Sequence, residues 1–491
     1  MRISSDYIGQ MFVASQDQEQ TQIAQTQQQI SSGLQFSNPA QDPVAATQVM
    51  GLQSTLAQTA QYGTTANLAQ ARLNTESSTL STVISTLQSV RTLALEGANA
   101  TTDATTRSTL ATQIQGDAAS ILQLANTQDG TGQYLFSGTA TTTTPFSQTG
   151  NTVTYAGTQG QRLVQIGADT QVADGDSGAA VFLQIPNGNG TFVAAASGAN
   201  TGTVTVGSNS ITNSASWNAG NPPYTIAFSN TLVTSPASTN TGSATVGASS
   251  VTNPATFAAG APPFTIAFSA PGVYTVTNSA GTQVGSGNNF TPGGTISFAG
   301  AQLTLAGTPA GGDGFTVSGS TDVPAAYTVT DSTGATVGSG SYTDGGSIAF
   351  NGAQLTLSGT PNAGDSISVS TSTHQSVFTT LQNLVTALNT PTSGNQAGVV
   401  NSINLAIQAL DQAQNSISNV QAQVGTRLQA IDSQTSTNSS LTLQLQSSVS
   451  SLQDLDYAQA ATTLNQQMTA LQAAQESFAK IEGLSLFNYI Q

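Results

Sequence analysis

Residues 403–431, INLAIQALDQAQNSISNVQAQVGTRLQAI, decide the fold of this 491-residue chain. Ile403, Ile407, Leu410, Ile417, Val424, Leu428 and Ile431 recur at heptad spacing, with Gln414 and Gln421 in the weak layers one heptad apart. A seam sustained for about four heptads is a coiled coil, and polar residues within it fix register at a cost in stability. Such a helix needs a second helix to cover it.

Reading outward toward the C-terminus, the apolar positions continue through Leu441, Leu445, Leu452, Leu464, Met468, Leu471, Phe478 and Ile481. They end in a cluster of Leu484, Leu486, Phe487, Tyr489 and Ile490. Docking that tail would be worth roughly 1.5–3 kcal/mol per large side chain, and leaving it bare would expose a sticky patch. It therefore calls for a cover, either the N-terminal helix of the same chain or a neighbouring subunit. On the other side of the seam, Phe378, Leu381, Leu384, Val385 and Leu388 form a short amphipathic helix closed by Pro391.

The covering helices are expected at the other end of the chain. Residues 5–32 read as helix, with Ile8, Met11, Phe12, Ile23 and Ile30 apolar and Gly33 as its stop. Asp42 caps the next helix with Pro43 at its first position. From Val44 to about Asn99, Leu73, Leu80, Ile84, Leu87 and Ala94 mark a core-facing stripe broken at Ser77 and Arg91. A third helix over about 103–127 is capped by Asp103 and carries Leu110, Ile114, Ile121 and Leu124. The interface residues predicted from the two ends are Ile8, Met11 and Phe12 with Leu484, Leu486, Phe487 and Tyr489; burial in a simple intrachain core is an equal alternative.

Between the helical ends, the chain repeats. Residues 201–230 match 241–270 (segment A), and residues 274–317 match 327–369 (segment B). Alternating Thr, Val, Ile and Phe with Gly and Pro turns predict short antiparallel strands. The order is A, A, B, B. Either each half was duplicated in tandem, or a complete A–B domain was inserted into an older one. The second account is favoured, since the inner A runs straight into its own B. Residues 137–195 form a further β-rich piece with Phe146, Tyr155, Val164, Ile166, Phe182 and Ile185 as its core.

The expected fold is multidomain α + β: paired N- and C-terminal helices form a coiled-coil rod that carries inserted antiparallel β domains. The blocks are 1–43 plus 441–491 (terminal assembly domain), 44–136 plus 376–440 (helical bundle), 137–195 (β extension), 196–240 plus 321–375 (outer β domain) and 241–320 (inner β domain).

Composition narrows the function. Charged residues are 6% of the chain and the net charge is −16, against roughly 25% charged residues in typical soluble proteins. The bases are six Arg and Lys480, too few to neutralise a phosphate backbone or an anionic membrane. No run approaches the ~18 apolar residues of a span, and the N-terminus lacks a signal-peptide core. The expectation is a cytosolic protein or one exported without a cleaved signal. The chain has no cysteine, which excludes disulfides and thiolate metal sites.

Apparent chemical motifs read as structure. Gly175-Asp176-Ser177-Gly178 imitates a nucleophile turn, but His374 is the only histidine, and such chemistry needs a base held by a third group. Asp174 and Asp176 lack the ligand spacing of a calcium loop. Asp454 and Asp456 read as a solvated helix face, His374 as a cap or surface residue, and Trp217 and Phe257 as matching core positions of the two A segments. No catalytic, cofactor or metal site is expected.

The two ends resemble the bacterial flagellar hook-associated protein 3 family. The resemblance rests on SSGLQFSNPAQDPVAATQV (31–49), LANTQDGTGQYLFSGT (124–139) and DLDYAQAATTLNQQMTALQAAQESFAKIEGLSLFNYI (454–490). Gln41 stands where the family pattern has an acid before Asp42-Pro43. The resemblance implies a structural, non-enzymatic subunit that leaves the cell through the flagellar export channel, attended by a chaperone at its C-terminal helix. It implies a ring of copies between the hook, through hook-associated protein 1, and the flagellin filament. A flagellin-type filament subunit and a surface adhesin acting through the β domains are the alternatives.

Overall fold

The structure is a computed structural model. It describes residues 5–99, 101–229, 232–251, 254–319, 326–392 and 395–489, and of residues 5, 6, 8, 254, 255, 258, 319 and 481–489 the backbone only. The helices are α1 (Ser5–Ser32), α2 (Pro43–Ala98), α3 (Ala104–Ala125), α4 (Ser214–Asn218), α5 (Pro254–Ala259), α6 (Val377–Asn389), α7 (Gln396–Gln453) and α8 (Tyr457–Tyr489). Helical ends with a central antiparallel β region are the fold read from the sequence. Contacts divide the chain into two compact units.

The first unit takes residues up to Ala71, Leu163–Asp174 and residues from Thr426 on. Here α1 packs along α8. The chain leaves α1 at Gly33 (φ 72°), where a left-handed backbone suits glycine. Gln35 N donates to Gln453 O (2.8 Å) and Leu455 N to Gly33 O (2.9 Å), forming a bridge between the two helix ends. Phe36, Ala46 and Val49 make a small core with Val449 and Leu452. The hairpin of β3 (Leu163–Gln165) and β4 (Gln171–Ala173), which follows β1 (Phe146–Thr149) and β2 (Thr152–Tyr155), sits on α7. There Asn438 Nδ2 donates to Ile166 O (2.8 Å) and Thr170 Oγ1 to Gln434 Oε1 (3.2 Å).

The second unit takes Arg72–Arg162 and Gly175–Gly425. The stripe of α2 buries Leu73, Leu80, Leu87 and Ala94 as read, with Val83 and Val90 added and Ile84 only half-buried. In α7, Ile403, Ile407, Leu410, Ile417 and Val424 are buried. At both breaks in the α2 stripe, α2 bonds α7. Gln421 Nε2 donates to Ser77 O (3.3 Å), and Arg91 pairs with Asp411. Phe136, Phe146, Phe182 and Phe378 form an aromatic cluster beside the α3–α6 pair.

The rest of this unit is β. Before the repeats lies β5 (Ile185–Pro186); the repeated strands are β6 (Phe192–Ala196), β7 (Thr205–Ile211), β8 (Tyr224–Ser229), β9 (Leu232–Pro236), β10 (Thr245–Val251), β11 (Phe264–Ala270), β12 (Val273–Thr277) and β13 (Gln283–Gly287). They continue with β14 (Thr295–Phe298), β15 (Ala301–Ala306), β16 (Gly314–Gly319), β17 (Ala326–Thr330), β18 (Thr336–Ser341), β19 (Ser347–Phe350), β20 (Ala353–Ser358) and β21 (Ser366–Thr371), followed by β22 (His374–Gln375). One pair of sheets has the orders β18-β17-β8-β21-β6 and β19-β20-β7; the other has β13-β12-β11-β16-β9 and β10-β15-β14. The first A segment thus pairs with the second B across the intervening chain. The inner sheet also reaches back to Leu232, through β9 on β16, ahead of residue 241 where the sequence repeat suggested a boundary. That repeat is hard to see at its leading strand because FVAAA and LVTSP share only an apolar start.

Candidate assembly surface

The sequence-predicted interface begins on α1 and ends on α8, and the structure brings these two helices together. Phe12 stacks on Phe478 with ring centroids 4.5 Å apart and planes 8° from parallel. Farther along, Thr26 Oγ1 donates to Gln467 Oε1 (3.0 Å). Met11 points outward, 60% exposed. The backbone positions of Ile8, Leu484, Leu486, Phe487 and Tyr489 lie in α1 and α8, but their side chains fall outside the described residues.

Among the described residues, most large exposed apolar side chains belong to this unit. Tyr7, Met11 and Val13 lie on α1, Val44, Met50 and Leu68 on α2, Leu441 and Leu443 on α7, and Tyr457 and Met468 on α8. Ala, Gln, Ser and Thr fill most of the surface between them. Scattered apolar residues are ordinary on any protein; here they fall on all four helices of one unit.

Sequence reading missed Phe478 as the partner of Phe12, because heptad spacing names a stripe without naming its pairs. It also read Asp454 and Asp456 as a solvated face. Both are exposed, but Asp456 caps α8 by accepting from Ala458 N (2.9 Å) and Gln459 N (3.1 Å). An Asp ahead of an apolar-periodic run is an N-cap signal, and that signal was available.

The motifs that imitate chemistry hold the fold. Ser177 is buried, and its hydroxyl oxygen accepts from Ala180 N (3.3 Å) at a π-helical turn, Ala179–Leu183. Asp176 accepts from Gln161 Nε2 (2.6 Å), and its own N–H donates to the Glu76 carboxylate (3.2 Å). His374 pairs through β22 with Pro186. Trp217 and Phe257 are buried in separate cores. Arg72 is buried, pairs with Asp129 and donates to the carbonyls of Tyr134 (2.7 Å) and Leu135 (3.3 Å). Burial pushes the Asp129 carboxyl up, but hydrogen bonds from Thr131 and Gln133 and the Arg72 guanidinium outweigh it and hold the group below the usual carboxylate range. Among the described residues no cluster of His, Asp and Glu could hold a metal ion, and no helix is long and apolar enough to cross a membrane.

Known proteins resemble the chain at its two ends and in its fold. The profile of the bacterial flagellin N-terminal helical region matches residues 3–141, and that of the C-terminal helical region matches residues 407–490. Flagellar hook-associated protein 3 of Salmonella typhimurium is 31% identical over 185 residues, and that of Escherichia coli 32% over 185. Each match covers 38% of this chain, and the chain spans 58% of each relative's length. The crystal structure of Xanthomonas campestris FlgL is similar at a TM-score of 0.56 and 25% identity, over 81% of this chain and 99% of that one. Hook-associated protein 3 of Legionella pneumophila shares the fold at a TM-score of 0.57 and 24% identity, over 82% of this chain and 98% of that one. The chain thus carries flagellin-type helical regions at both ends, and in sequence and in fold it is similar to the hook-associated protein 3 proteins.

Proposed function

We propose that this chain is a structural subunit of the bacterial flagellum that joins the hook to the filament. In this reading copies form a ring, seated on hook-associated protein 1 on one side and on flagellin on the other. The observation that carries it is the pairing of α1 with α8 in a unit whose four helices keep large apolar side chains exposed. A soluble monomer gains nothing from such a surface, whereas a ring of copies buries it. The hook-associated protein 3 relatives support the choice of the flagellum.

The same reading takes Ile8, Met11, Phe12, Leu484, Leu486, Phe487 and Tyr489 as assembly contacts. It places the subunit outside the cell, exported without a cleaved signal peptide and escorted by a chaperone at its C-terminal helix. It assigns no catalysis to the chain. The terminal helices serve assembly, and the α2–α7 region stiffens the subunit.

Immunogold electron microscopy of intact flagella, with an antibody against residues 241–320, tests the proposal. Label confined to a short zone between hook and filament is the expected result. Label along the whole filament would make the chain a filament subunit instead. Absence of flagellar label would remove the flagellar assignment.

A further inference from the structure

The two β modules are the same object built twice. In each, a five-stranded sheet packs on a three-stranded one, and the strand orders coincide when β9 is set on β6, β10 on β7, β11 on β8, β12 on β17 and β16 on β21. In each, one aspartate clamps segment A to segment B. Asp313 accepts from Thr241 N (2.8 Å) and Ala310 N (2.8 Å); Asp365 accepts from Thr201 N (2.8 Å) and Asn362 N (2.8 Å). Beside each clamp an asparagine amide makes a reciprocal pair, Asn240 with Gly314 and Asn200 with Ser366. The two cores share no residue, and among the described residues no strand of one module pairs with a strand of the other.

The difference lies in one turn. In the inner module β11 and β12 form a hairpin in which Ala270 faces Val273, so Pro271 and Gly272 are the whole connection. In the outer module β8 and β17 form the matching hairpin, with Ser229 facing Ala326. The inner module therefore occupies the place of a two-residue turn. A hairpin end is a suitable point of entry, because adjacent strands deliver the two ends of an insert side by side.

A second difference concerns anchoring. The outer module is fastened to α7: Val206 N donates to Asn401 Oδ1 (2.7 Å), Asn401 Nδ2 to Val204 O (3.0 Å) and Asn404 Nδ2 to Val206 O (3.1 Å). Val204 and Val206 are buried, whereas their inner counterparts Ala244 and Val246 are only half-buried.

We infer that the inner module is a self-sufficient cassette carried on the β8–β17 hairpin, and that its own hairpin tip, Pro271–Gly272, is an insertion port able to carry a further folded domain. The helical units and the outer module keep their structure whether the ports are loaded or empty. This inference is independent of the junction role.

Trp217, the only tryptophan of the chain, sits in the outer core, so its emission reports that module alone. In the first experiment residues 230–325 are removed from the full chain and Ser229 is joined to Ala326 through Pro-Gly. The expected result is buried-indole emission and an unchanged denaturant midpoint by tryptophan fluorescence. A red-shifted emission or a lost midpoint would overturn the cassette.

A second variant keeps the full length of the chain. Asp313→Ala in the full chain is expected to abolish slow amide exchange in β11 and β16 while leaving the Trp217 midpoint where it was. A Trp217 midpoint that falls with it would show one cooperative body. The port is tested by inserting a small single-domain protein with adjacent termini between Pro271 and Gly272. Retained exchange protection in β11 and β12 is expected, and its loss would remove the port.

Discussion

Phe12 and Phe478 stack face to face across α1 and α8, 4.5 Å apart. Aromatic pairs of this kind are worth about 0.5–1.5 kcal/mol beyond the area they bury. Phe12→Ala and Phe478→Ala should each lower the helical unit's unfolding midpoint. In a double-mutant cycle they should couple by about 0.5–1.5 kcal/mol, and a coupling near zero would mean that the rings do not meet in solution.

Gly33→Ala tests the exit from α1. The position has φ 72°, and a Cβ there would come within 2.8 Å of the Tyr457 hydroxyl. The left-handed backbone costs a non-glycine residue about 1–2 kcal/mol. Chemical denaturation of the variant should show a loss of that size, and Tyr457→Phe should relieve the contact but not the backbone cost.

Arg72 holds the 129–135 loop onto α2 through Asp129 and two carbonyls. Arg72→Ala leaves those acceptors behind, and removing one partner of a buried pair costs about 3 kcal/mol or more. Urea unfolding should show that loss. Asp129→Asn, which keeps the loop's shape, should cost less.

The Asp313 clamp sets a pH response. The Ala310 N–H, joined by those of Thr241 and Gly242, holds its carboxyl below the ordinary range against the opposing effect of desolvation. A group whose pKa is lowered on folding stabilises the native state above its unfolded pKa of about 3.9. That contribution is lost as pH falls through the folded value. The protection factors of the β11 amides, corrected for the intrinsic exchange rate, should therefore fall below about pH 4, and in Asp313→Asn they should respond less to acid.

The helical ends, the β centre and the caps at Asp42 and Asp103 were legible because each is a local pattern. Asp42 accepts from Val44 N (3.1 Å) and Ala45 N (2.9 Å), and Asp103 from Thr106 N (2.7 Å), as their positions ahead of apolar runs require. The breaks at Ser77 and Arg91 were visible as gaps, but their meaning was not. Only the three-dimensional structure shows that Gln421 and Asp411 meet them. The Phe12–Phe478 pair, likewise, joins residues far apart in sequence, and periodicity carries no record of which stripe positions face each other. The start of the inner sheet at Leu232 escaped because hydrogen bonding along a strand places few demands on side-chain identity. Of the candidate interface, Met11 and Phe12 are seen, one outward and one stacked.

The pairing of α1 with α8 also orders events in time. A ribosome delivers residues 5–32 long before residues 457–489, so the first helix must wait, with Phe12 bare, for the last one to arrive. Among the described residues the strands of the β modules pair with one another. A chain cut short ahead of α8 would fold its middle and still leave its first helix unclosed. The α1–α8 pair thus closes only in a chain whose synthesis has run through Phe478.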